Sequence, residues 1–142
     1  MLFYEYTRSQ KSKIKEYELV RALLCHAEKE VSESGRALAE AVRSFSDQAP
    51  NTEALKSAVL SSDWGALRAS LPEADGEDIE LISDFFSEPS APSYKEEGER
   101  IRDLSRLFKE KHGALKSGYS DKSKVAFTIF CTAVAFAFFL LA

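Results

Sequence analysis

The sequence predicts an all-α protein: a compact bundle of about five to six helices followed by a C-terminal transmembrane helix. Three observations carry this reading. Apolar residues recur every three or four positions through most of the chain. Strand-like alternation never persists long enough to build a sheet. The charged residues, 19 Lys and Arg and 23 Asp and Glu among 142 positions, all lie before Val125 and leave the last 18 residues uncharged.

Residues 1–12 form an N-terminal segment whose opening, MLFYEY, is too short to be a span or a signal peptide and is read as a remnant of a first membrane segment. From Lys13 onward, Ile14, Tyr17, Val20 with Arg21, Leu24, Ala27 and Val31 make the stripe of an amphipathic helix. SESG at 32–35 breaks it, and Leu38, Ala41, Val42 and Phe45 resume on one side, giving a helical hairpin. The alternative is a helix continuous through Gly35, since an internal glycine costs only about 1 kcal/mol. Residues 47–51 are a turn, and Thr52 reads as the N-cap of a short helix to Leu60. Ser62 or Asp63 caps the next, from about Trp64 to Leu71, which Pro72 ends. Asp75 and Gly76 open a helix carrying Ile79, Leu81, Ile82, Phe85 and Phe86, and EPSAPS stops it. The last helix of the body starts near Ser93 and reaches Lys116 or beyond, with Ile101, Leu104, Leu107 with Phe108, Lys111 and Leu115 on its inner stripe. The body is therefore assigned to residues 13–118 as a cytoplasmic helical domain.

Residues 125–142, VAFTIFCTAVAFAFFLLA, hold only two polar side chains, Thr128 and Thr132, and either hydroxyl can bond the carbonyl one turn earlier. As a helix they span roughly 27 Å against a hydrocarbon core of roughly 30 Å. A buried core helix is the competing assignment, but apolarity on every face favours lipid. Lys111, Lys116, Lys122 and Lys124 precede the segment and no charge follows it, so the body is expected in the cytoplasm and the chain is expected to be a single-pass membrane protein.

A formal net charge of −4 with acids and bases interspersed excludes a basic nucleic-acid footprint. Catalytic signatures are missing from the sequence. His26 and His112 stand alone, outside any metal-ligand spacing. No glycine-rich phosphate loop and no GxSxG elbow occurs. Cys25 and His26 are neighbours on a helix and point about 100° apart, so adjacency makes no dyad; Cys25 and Cys131 are read as packing residues. Glu73, Asp75, Glu77, Asp78 and Glu80 lack the order of a calcium loop and are explained as acids around a helix start. No cofactor, no metal and no enzymatic activity is expected.

What remains is contact chemistry. Trp64 is a core residue or an interface anchor. Phe85 and Phe86 point in different directions, so one is expected to face a partner. The outer face of the long helix offers Arg100, Arg102 and Arg106, suited to bidentate pairing with carboxylates. These six are the candidate protein-contact residues.

The order of elements resembles the stage III sporulation protein AB family of endospore-forming bacteria. The resemblance covers most of residues 8–140 and rests on a charged helix ending in KEV, a break followed by ALAEAV, a DWGAL element, an EDIELISDFF helix and a KEEGERIRDL helix joined to the hydrophobic end. The chain departs from the family in its short MLFYEY start and in Phe85, Phe86, Ser87 and Glu88, where the family tends to have Leu-Gly followed by Ser-Asp. The resemblance implies a domain similar to the inner-membrane platform proteins of type II secretion. It also implies a place in the outer forespore membrane with the body on the mother-cell side. The expected role is a non-enzymatic, membrane-anchored scaffold of a sporulation channel or secretion-like complex. It would dock a cytoplasmic ATPase beside other membrane components, with the lipid bilayer around 125–142. The alternative is a tail-anchored helical adaptor or regulator unrelated to sporulation.

Overall fold

A computed structural model describes residues 2–89 and 91–141, and side chains except those of 2–5, 7, 119–124 and 126. Six helices follow in order: α1 (Leu2–Ser34), α2 (Leu38–Ser44), α3 (Thr52–Ser61), α4 (Trp64–Ser70), α5 (Gly76–Ser87) and α6 (Tyr94–Leu141). No strand occurs among the described residues. The chain divides into two compact units, Met1–His112 and Gly113–Ala142.

In the first unit, α1 ends where SESG predicts a break. Gly35 takes a left-handed conformation at φ 64°, which glycine adopts without a side-chain clash, and its N–H donates to Val31 O. The chain then turns into α2, which packs on α1. Thr52 is the first residue of α3 rather than its cap: its hydroxyl donates to Ala49 O, while the preceding Asn51 reaches across to Ser70 O. Of the two cap candidates for α4, Asp63 is the one used, accepting from Ala66 N at 3.0 Å. Ser62 instead closes α3 at φ 54°.

The core follows the predicted stripes. Tyr17, Val20, Leu24, Ala27 and Val31 of α1 are buried, joined by Leu19 and Leu23; α2 and α3 add Val42, Leu55 and Val59, and α4 and α5 add Leu67, Ile79, Ile82 and Phe85. Ile101, Leu104 and Phe108 of α6 close it, with the Phe108 ring 5.8 Å from that of Tyr17. Gly98 lets α6 approach α1, because a Cβ there would overlap the Ser32 side chain.

The expected separate transmembrane helix is corrected. Residues 125–141 are the C-terminal part of α6, not an element of their own, and among the described residues no helix is long and apolar enough to cross a membrane. The single-pass localisation that rested on this segment falls with it. Lys122, Lys124 and the aromatics of MLFYEY other than Tyr6 lie outside the described side chains. The packing role assigned to the cysteines is also corrected, since Cys25 and Cys131 are both exposed.

Candidate functional site

Of the six predicted contact residues, the structure brings Phe85, Phe86 and Arg100 together. The Phe85 and Phe86 rings meet edge to face at 4.9 Å, and the Arg100 guanidinium sits 4.0 Å above the Phe85 ring. Phe85 is buried and Phe86 is half-buried. Arg100 donates to Phe85 O at 3.0 Å, to Glu88 at 3.1 Å and to Glu97 at 2.6 Å. Glu97, itself buried, also accepts from Ala91 N at 2.7 Å. Burial alone would raise the Glu97 carboxyl; the Arg100 hydrogen bond, the Ala91 amide and the Arg100 charge together hold it below the ordinary carboxylate range. The cluster fastens the end of α5 to the start of α6.

The other three candidates lie apart. Trp64 is half-buried in the first turn of α4, Arg102 pairs with Glu28 of α1 at 2.9 Å, and Arg106 is exposed.

A second cluster was not anticipated as such. The acids around the start of α5 bind α1 and α6. Ser9 donates to Glu73, Lys13 pairs with Asp75 at 2.8 Å, and the Tyr17 hydroxyl donates to Asp78 while accepting from Asp75 N. Asp78 is 3 % exposed; its second oxygen has no aligned hydrogen bond and is balanced by the ammonium of Lys111 at 2.9 Å. Pairing with the Asp78 carboxylate raises the Lys111 ammonium, and burial followed by the bond to Asp78 raises the Tyr17 phenol. Nearby, Arg21 donates to Nδ1 of the buried His112 at 3.2 Å, which leaves the ring proton on Nε2. The spacing of Tyr17 on the α1 stripe was visible in the sequence, but its partner 61 residues away was not.

His26 and Ser44 form a 2.8 Å pair. Ser44 Oγ donates to Ala41 O, so it accepts from His26 Nε2; that is the reverse of the direction in which a base activates a serine. Among the described residues, no group of three or more His, Cys, Asp or Glu side chains is placed to hold a metal ion. A groove of about 860 Å³ lies along α1, with Leu19, Ala22, Ala54 and Ala69 among the residues lining it. Its buried acid, Glu16, accepts from Glu73 N at 2.9 Å; burial is the main cause that raises its carboxyl.

The second unit presents different chemistry. Val125, Phe127, Ile129, Phe130, Val134 and Phe136 are exposed, as are Phe138, Phe139, Leu140 and Leu141, so the helical stretch 125–141 is apolar on all its described faces. Thr132 Oγ1 donates to Thr128 O at 2.9 Å, the back-bond the sequence suggested.

No family model, curated protein or solved structure matches this chain. The sporulation-channel scaffold, its docking of an ATPase and the tail-anchored alternative do not stand. The scaffold reading rested on the resemblance, which no match supports, and both readings rested on a membrane anchor of which the described helices give no instance.

Proposed function

We propose that this chain is a non-enzymatic helical interaction module that works by burying the apolar end of α6 among apolar helices of an assembly. The observation that carries the proposal is the exposed stretch 125–141, in which ten large apolar side chains face outward from one helix. Leaving apolar surface in water is unfavourable by roughly 25 cal/mol per Å². Such a stretch also exceeds the few hundred Å² that a typical monomer exposes in one patch. The polar groups of the body support the non-enzymatic part: Asp75, Asp78 and Arg100 are engaged in joining helices.

The test is photocrosslinking in cells with p-benzoylphenylalanine replacing Phe136. Covalent protein adducts that do not form from the same probe at the exposed position Arg106 are the expected result. An absence of protein adducts at Phe136, with the full chain stable, overturns the proposal.

A further inference from the structure

Granting that interaction reading, we infer that the helices against which 125–141 packs are the same segments of further copies of this chain. Area makes a stable contact possible. With five Phe and five aliphatic side chains between 46 % and 89 % exposed, the stretch offers on the order of 1,000 Å² of apolar surface. A standard interface takes about 800 Å² from each partner.

Composition selects the partner. Between Val125 and Leu141 there is no charged side chain, so no ion pair across the contact can favour a foreign helix or set its register. What the stretch does offer is alternation of size. Phe127, Phe130 and Phe136 stand among Thr128, Ala133 and Ala137, so bulky groups of one copy meet small positions of an identical neighbour. Thr132 adds no polar demand, because its hydroxyl is already bound to Thr128 O. A helix apolar on all sides is poorly covered by one neighbour, whereas copies around a rotation axis give every segment two. Assembly therefore proceeds beyond the dimer.

The chain carries its own reporter. Cys131 lies within the stretch and is exposed; replacing the other cysteine, Cys25→Ser, leaves it as the sole thiol. The experiment is sedimentation velocity of the full chain in aqueous buffer over a hundredfold concentration range, followed by mild oxidation and non-reducing electrophoresis. The expected result is one discrete species at an integral multiple of 15.8 kDa, with a disulfide-linked pair through Cys131. Phe130→Asp shifts the species to monomer and abolishes the disulfide. Phe130→Leu retains both, and Trp64 fluorescence reports that the body stays folded in each variant.

A monomer at every concentration overturns the inference, as does a polydisperse aggregate unaffected by Phe130→Asp. Monomers that float with phosphatidylcholine vesicles also overturn it in favour of lipid. The Phe136 photoadduct separates this failure from that of the wider reading. An adduct to a different protein overturns the self-assembly alone; no protein adduct overturns both.

Discussion

The carboxylate of Glu97 shows how a single residue's environment sets a measurable property. Its lowered carboxyl pKa means that the charged form is favoured in the folded state. Its contribution to stability is therefore present above the unfolded value of 4.5 and lost as pH falls through the lower folded value. Glu97→Gln removes that contribution. Chemical denaturation is expected to show wild type more stable than the variant at pH 7, the gap narrowing below about pH 4.5. Glu16 behaves in the opposite sense: its raised carboxyl favours the proton in the folded state, so its contribution is best below 4.5 and declines as pH rises through the folded value. The difference between Glu16→Gln and wild type should consequently move in the variant's favour as pH rises. At Ser62 the issue is backbone. A non-glycine residue at φ 54° pays a steric penalty that glycine avoids, so Ser62→Gly is expected to raise stability by up to about 1 kcal/mol in the same measurement.

Contacts between elements explain how much of the fold could be read beforehand. The α1 and α6 stripes, the glycine break after Ser34 and the Asp63 cap are local signals, and each depends on residues within a few positions of one another. The role of Asp78 is different. Its sequence position says only that an acid stands in the first turn of a helix, and both Tyr17 and Lys111 reach it from other helices. The bounds of α6 were hidden for a related reason: Gly113 and Gly118 weaken a helix locally, but neither interrupts this one. Phe85 and Arg100 stand out in the sequence as contact candidates because aromaticity and charge are visible there, while their mutual stacking is not. Close approach of α1 and α6 at Gly98 yields a sharper expectation. Gly98→Leu must force Ser32 aside and is expected to destabilise by about 1–3 kcal/mol, readable as a lower thermal midpoint.

At the scale of the whole molecule, the order in which the chain can complete its core follows from which contacts are long in sequence. The Tyr17 ring meets Phe108, and Arg21 meets His112 across 91 positions, so the first helix cannot bury its inner face until the body part of the last one has arrived. Joining such distant segments carries a loop-closure cost before any contact repays it. Phe108 is almost fully buried, and its removal leaves a void between α1 and α6. Phe108→Ala is expected to destabilise the body by about 3–5 kcal/mol. Because the same contact joins the earliest and latest helices of this unit, the loss should not appear as fraying at one end. Fluorescence from Trp64, on α4 between them, and helical circular dichroism should shift together to lower denaturant. If the dichroism of the body moved while Trp64 kept its wild-type transition, α3 and α4 would have to be stable without the α1–α6 contact, and the single cooperative core argued from these burials would be wrong.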